Sequence, residues 1–186
     1  MTLFGKALKT IKIVLLVLLT IVSPLSAQPF GDKPSMNARI ENLLFFIQKS
    51  PDANTVVYEL NLNEDGTLCS QAPVKVSWIM YAKDGKKEEL TSTERKHIYG
   101  VQSQNLGNDE YEIHLMAYTK LPLYLRCSQT DNKYKIYIKD EGQPYLLKRM
   151  FIKLDRCSFW YPTVQYIDLV AVDTTNGREI LRRINI

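Results

Sequence analysis

The chain has 186 residues, with 24 lysines and arginines, 20 aspartates and glutamates, and a formal net charge of +4. Three of the lysines and none of the acids fall in residues 1–27, so residues 28–186 carry 21 basic and 20 acidic residues, a net charge of +1. This balance excludes a general electrostatic attraction to nucleic acid or to an anionic membrane. Lysines recur at positions 133, 135 and 139, and we interpret them as part of a solvated, charge-mixed surface.

The first 27 residues have the layout of a secretory signal peptide. Three lysines precede an apolar run at 13–22, and Pro24 and a small-residue cleavage position at Ala27 follow it. The run is shorter than the roughly 20 apolar residues of a transmembrane helix. We therefore expect cleavage after Ala27, a periplasmic or secreted protein, and no membrane span in the mature chain. Residues 28–39 are typical of a flexible lead-in, and residues 40–186 are expected to form a single β-rich domain.

The first predicted strands follow from alternation of apolar and polar residues with a period of two. Residues 43–49 favour a strand over a helix because an aromatic pair lies just before a turn. Residues 55–61 and 74–80 alternate over their whole length, which places Glu59 and Ser77 on faces expected to meet water. Short hairpin signals, in which Asn, Asp and Gly tolerate positive φ, occur at Asp65-Gly66, Asp84-Gly85 and Asn176-Gly177.

One short helix is predicted at about residues 90–99. Thr91 and Glu94 have the spacing of a capping box, which satisfies free N–H groups at a helix start. Gly100 is expected to end this helix in the left-handed conformation.

The later part of the chain again favours strands. Apolar and polar residues alternate in segments 111–117 and 133–139. Segment 164–172 is apolar on both faces, which predicts a central strand. Asp168 would then be buried, and a buried carboxylate needs a hydrogen-bonding or charged partner. The whole pattern predicts an all-β fold: a single antiparallel β-sandwich or barrel of about nine strands with one short helix (about 90–99).

Three cysteines follow the predicted signal peptide, and an exported chain allows two of them to pair. Cys127 with Cys157 is the favoured disulfide because both lie at predicted strand ends. Three unpaired, partly buried thiols, including Cys69, are the alternative.

Three adjacent aromatic residues, Phe159, Trp160 and Tyr161, precede the last long strand. One interpretation is a loop that plugs one end of the core. The other is an exposed patch that contacts a ligand or partner, because large exposed apolar patches usually mark contact sites.

No catalytic motif is present. The chain lacks a serine-hydrolase elbow, nucleotide-binding glycine patterns and metal-ligand spacing, so we expect no catalytic residue, metal or cofactor. If an unrecognised hydrolase were present, His97, Glu112 and Asp168 are the residues to inspect, although His97 and His114 both fit solvated positions.

Six segments of the chain together form a recognisable pattern: 44–50, 54–61, 73–79, 89–100, 146–152 and 166–169. They resemble the bacterial domain-of-unknown-function family numbered 4833. The resemblance extends from about Leu43 to Ile184, and the cysteines do not look like part of its pattern. It implies export and a compact domain but no activity, so no functional residue is carried over.

Three functions are compatible with these features. The first is a non-enzymatic binding or interaction domain of the cell envelope, with an envelope protein or a glycan as its partner. The second is a carrier that holds a small apolar ligand in a β-barrel cavity. The third is an envelope hydrolase without a recognisable motif.

Overall fold

A computed structural model describes residues 40–48, 54–154 and 164–186, which all belong to a compact unit spanning Lys33–Ile186. The fold is all-β with one short helix, as predicted from the alternation. The predicted signal peptide and lead-in lie outside the described residues. The strands are β1 (Leu43–Gln48), β2 (Thr55–Leu60), β3 (Val74–Met80), β4 (Lys86–Glu89), β5 (Val101–Gly107), β6 (Glu110–Leu115), β7 (Tyr118–Ser128), β8 (Lys133–Asp140), β9 (Gln143–Leu154), β10 (Val164–Asp173) and β11 (Glu179–Asn185). A 3₁₀ turn (Tyr81–Lys83) precedes β4, and the helix α1 (Ser92–His97) precedes β5.

The strands form one curled, open sheet in the order β4-β3-β2-β1-β9-β8-β7-β6-β5. β10 pairs with β9 and β11 with β10. We call β1–β4 the first arm and β5–β8 the second arm. Both arms attach to the same edge of β9, because β10 occupies the other edge along almost its whole length.

One strand pair departs from the predicted antiparallel arrangement. β1 pairs with β9 in parallel, whereas the other named pairs are antiparallel. Parallel neighbours need a long crossover connection, and here the intervening strands of both arms supply it. The expectation of a wholly antiparallel sheet is therefore wrong at this pair.

The core contains side chains from both arms and from β9 and β10. The ring of Phe45 stacks on that of Tyr58 with centroids 4.2 Å apart. The hydroxyl of Tyr58 donates a hydrogen bond of 2.8 Å to the Tyr99 carbonyl at the end of the helical segment. Other members of this core are Val56, Val76, Leu90, Tyr111, Ile113, Leu115, Leu123, Leu125, Ile136, Leu147, Met150, Ile167 and Leu169.

The helix begins as predicted and ends differently. Thr91 and Glu94 form the capping box, in which each side chain bonds the other residue's backbone N–H. Gly100 does not have positive φ, so the predicted left-handed cap is wrong. The glycine is needed for another reason: a Cβ at this position would lie 1.8 Å from the carbonyl oxygen of Arg95.

The polar face of the first arm also differs from expectation. Glu59 and Ser77, which were expected to meet water, are 9% and 0% exposed. The Glu59 carboxylate accepts a hydrogen bond from Lys87 Nζ at 2.5 Å and one from Ser77 Oγ at 3.4 Å. A buried carboxylate is tolerated when it is paired and hydrogen-bonded, and Lys87 provides that charge from β4, across the intervening strand β3.

The tight turns were only partly evident in the sequence. Gly66, Gly85 and Gly177 all have positive φ, which confirms the left-handed geometry predicted for those hairpin signals. Asn108-Asp109, between β5 and β6, adopts the same left-handed geometry without a glycine in the two central positions.

In the described part of the chain, we find no helix of the length and hydrophobicity needed to cross a bilayer.

Candidate functional site

A groove opens where the two arms separate from β9. β8 pairs with β9 only over Tyr137–Asp140, and β1 pairs with β9 only over Phe46–Gln48. Beyond these segments, the start of β1 and the start of β8 line opposite sides of the groove. Its position thus follows from the parallel insertion of β1 beside β9.

The groove has a volume of about 510 Å³ and two chemically distinct parts. That volume falls within the range of about 300–1,000 Å³ that is typical of small-molecule sites. Its apolar lining consists of Leu43, Leu44, Leu60, Leu62, Leu68 and Leu146. Its polar lining consists of Glu41, Asn42, Asn132, Lys133, Tyr134, Lys135 and Lys148, with Gly66 completing the wall.

A compact turn holds two of the leucines in place. Leu62 and Leu68 form an isolated β-bridge across the Asp65-Gly66 turn. The Asp65 carboxylate accepts hydrogen bonds from the backbone N–H and the hydroxyl of Thr67, at 2.9 and 2.6 Å. These bonds lower the pKa of Asp65, since they favour its ionised form. The hairpin signal in the sequence therefore builds part of the groove wall.

The lysines of the groove differ in their partners. Lys135 forms an ion pair with Asp131 at 2.6 Å, and its hydrogen bond is the main reason that the pKa of Asp131 is lowered. For Lys133 and Lys148, no ion pair occurs within the described part of the chain. Two ammonium groups thus remain available for an anionic ligand.

Tyr134, which lies between Lys133 and Lys135 in the chain, also lines the groove. Its pKa is raised, chiefly by burial and then by the charge of Asp109. The phenol consequently keeps its proton over the physiological range and can donate a hydrogen bond.

The predicted contact residues Phe159, Trp160 and Tyr161 lie outside the described residues, and so does Cys157. Within the described part of the chain Cys127 forms no disulfide, and its Sγ donates to Asn132 Oδ1 at 3.4 Å. Its pairing with Cys157 stays a prediction. Cys69 likewise has no disulfide partner among the described residues.

The acid–base candidates lie on three different elements, and none of them lines the groove. Glu112 on β6 lies 2.7 Å from His114 Nε2, and the other ring nitrogen of His114 lies 2.7 Å from the carbonyl oxygen of Thr119. Asp168 on β10 accepts two hydrogen bonds from Arg183, at 2.7 and 2.8 Å, on the face opposite Ile167 and Leu169. β6 and β10 are separated by three strands.

His97 lies exposed in the last turn of α1. Asp168 has the charged partner that the sequence required, although it does not point into the core cluster. Among the described residues, no group of three or more His, Cys, Asp or Glu side chains is arranged to hold a metal.

Sequence reasoning did not identify the groove. Lys133 and Lys135 were noticed as a recurring pair but were interpreted as solvated surface. Their alternation with Tyr134 in a strand was the available signal. Lys148 was not connected with them, although β9 pairs with β8 as an antiparallel hairpin and so returns the chain towards the start of β8.

Comparison with known proteins identifies the family and nothing further. No curated protein matches the chain, and no solved structure matches it. The family described as Domain of unknown function (DUF4833) matches residues 45–183, which is most of the chain and agrees with the resemblance seen in the sequence. The chain therefore belongs to the DUF4833 family.

Proposed function

We propose that this protein is an exported, non-enzymatic binding domain of a bacterial cell envelope that takes its ligand in the groove between β1 and β8. One observation carries the proposal: a leucine-lined groove of about 510 Å³ is bordered by two lysines, Lys133 and Lys148, that have no ion-pair partner in the described chain. Concave, mostly apolar sites with a few convergent polar groups are the usual form of ligand sites. Export is supported by the signal-peptide pattern of residues 1–27.

Binding is favoured over hydrolysis by what lines the groove. Its described lining has one carboxylate, Glu41, and contains neither histidine, cysteine nor serine. A nucleophile with an adjacent base, or a pair of carboxylates flanking a bond, is the usual requirement for hydrolysis. The His114–Glu112 pair and Asp168 belong to other strands, which weakens the hydrolase alternative.

The carrier alternative differs in the shape of the site. A carrier of the barrel type encloses its ligand, whereas this groove lies between two diverging arms. We propose that the arms pack as the layers of a sandwich, because buried side chains of both belong to one core cluster. A protein or glycan partner that binds through Phe159, Trp160 and Tyr161 remains a second proposed interaction.

Native and denaturing mass spectrometry of the mature protein, purified from an exporting host, tests the proposal. We expect extra mass in the native spectrum that disappears on denaturation. Leu62→Gln places a polar group in the groove and should reduce the extra mass. Leu181→Gln is the matched control, because Leu181 is 71% exposed on the edge strand β11 and does not line the groove.

A bare polypeptide mass, together with unchanged spectra for both variants, would contradict the groove as the binding site. The aromatic segment then becomes the remaining candidate. In that case Trp160→Ala should abolish capture of an envelope partner, and full capture by this variant would exclude the segment as well.

A further inference from the structure

We propose that the groove binds a single-chain amphiphile with an anionic head, of the fatty-acid class, with the head at Lys133 and Lys148 and the chain along the leucines. This inference rests on the proposed function, since it names the ligand of that same groove. It is carried by the two-part lining, which places cationic and apolar surfaces side by side within one cavity.

The charge of the groove selects an anion. Its lining has three lysines against a single glutamate. Elsewhere on the first arm, lysines are neutralised locally: Lys87 by Glu59 and Lys83 by Glu88. In the groove, by contrast, the described chain gives Lys133 and Lys148 no such partner. Lysine ammonium groups are flexible point charges that suit a carboxylate or phosphate head.

The apolar part of the groove selects a chain. Its six leucines come from β1, β2, β9 and the 62–68 turn, and Leu62 is 37% exposed. An acyl chain laid on these side chains would remove apolar surface from water, which is the main source of affinity for such ligands. Flexible aliphatic side chains fit a flexible chain better than a rigid ring.

A sugar fits this lining less well. Glycans stack on aromatic rings, and Tyr134 is the single aromatic residue among the described groove residues. The cation–aromatic contacts of the second arm, such as Lys139 over Tyr124 at 3.7 Å, lie outside the groove lining.

Isothermal titration calorimetry on protein stripped of bound lipid tests the inference. The probes are dodecanoate, dodecanol and dodecyltrimethylammonium below their aggregation concentrations, followed by decanoate and octanoate. We expect dodecanoate to bind at least fivefold more tightly than the neutral and cationic probes. Each methylene removed should weaken binding by about two- to fourfold, because a fully buried methylene contributes about fourfold and an open groove buries part of it.

Charge variants separate the head from the chain. Lys133→Gln combined with Lys148→Gln should weaken dodecanoate binding by about five- to twentyfold and leave dodecanol binding unchanged, since partly exposed ion pairs contribute about two- to fivefold each. Glu41→Gln should strengthen dodecanoate binding. Lys96→Gln with Lys120→Gln is the matched control, because both lysines are exposed and lie outside the groove.

Two results would overturn the inference. One is equal binding of the three dodecyl probes, and the other is an effect of the control lysines as large as that of the groove lysines. If these occur while native spectra still show a ligand that Leu62→Gln removes, the groove binds a ligand of another class and the proposed function stands. If no probe binds and the native mass is bare, both fail together.

Discussion

Gly100→Ala tests whether close packing, and not backbone freedom, requires the glycine after α1. Gly100 is buried, and a Cβ there would lie 1.8 Å from the Arg95 carbonyl oxygen and 2.8 Å from its carbon. An ordinary contact is about 3.5 Å or more, so the two backbone segments must move apart by about 1.7 Å. The contacted atoms belong to the backbone and cannot swing aside.

The movement would also disturb hydrogen bonds that join this segment to the β6–β7 turn. The N–H of Met116 donates to the Gly100 carbonyl at 2.9 Å, and the N–H of Ala117 donates to the Ile98 carbonyl at 3.1 Å. Overpacking usually costs about 1–3 kcal/mol, and a backbone clash places this variant near 3 kcal/mol. For a chain of this size, that loss lowers Tm by about 6–12 °C.

Urea unfolding followed by circular dichroism measures the effect, with the m-value as a check that two-state unfolding persists. Gly142→Ala is the control: its φ is +83° and a Cβ there would meet open space. It should incur only the steric strain of an alanine at positive φ, about 1–2 kcal/mol. If Gly100→Ala costs no more than Gly142→Ala, the packing argument is wrong.

Two further predictions concern hydrogen bonds and pH. Tyr58→Phe removes a buried hydrogen bond but keeps the ring, so the free energy of unfolding should fall by about 1 kcal/mol in urea at neutral pH, and no change would contradict this. Burial raises the pKa of Tyr58 well above its ordinary value. The free energy of unfolding should therefore fall once the pH exceeds the unfolded-state pKa of about 10. Tyr58→Phe should make that fall less steep. Hydrogen bonds from Thr175 lower the pKa of Asp173 in the folded state. Their contribution to the free energy of unfolding is therefore present above the unfolded-state pKa of Asp173, and it is lost as the pH falls through the folded-state pKa. Thr175→Val should raise this pKa in a carboxyl NMR titration, and an unchanged pKa would assign the shift to the backbone alone.

Local patterns predicted the features that depend on neighbours in the chain. The alternation of Tyr111, Ile113 and Leu115 identified the buried face of β6, and Thr91 with Glu94 identified the start of α1. These features depend on the period of two and on hydrogen bonds within one turn, so a single segment contains all the information they need.

Features that depend on distant segments were missed or wrong. Glu59 is buried because Lys87, on another strand, neutralises it, and Gly100 is needed because the backbone of Arg95 folds back onto it. Strand β5 has no alternation of buried and exposed residues, since six of its seven residues are exposed. Its place at the edge of the sheet therefore follows only from its pairing with β6.

The sequence by itself determined the strand-rich character of the chain, most tight turns, the capping box at the start of the helix, the family and the expectation of export. Only the tertiary structure decided that β1 lies parallel to β9 and that both arms share one edge of β9. That choice brings the leucines of β1 to the same groove as Lys133 and Lys148 of the β8–β9 hairpin. Strand order depends on contacts between segments far apart in the chain, and alternation within a strand carries no information about which strand it will pair with.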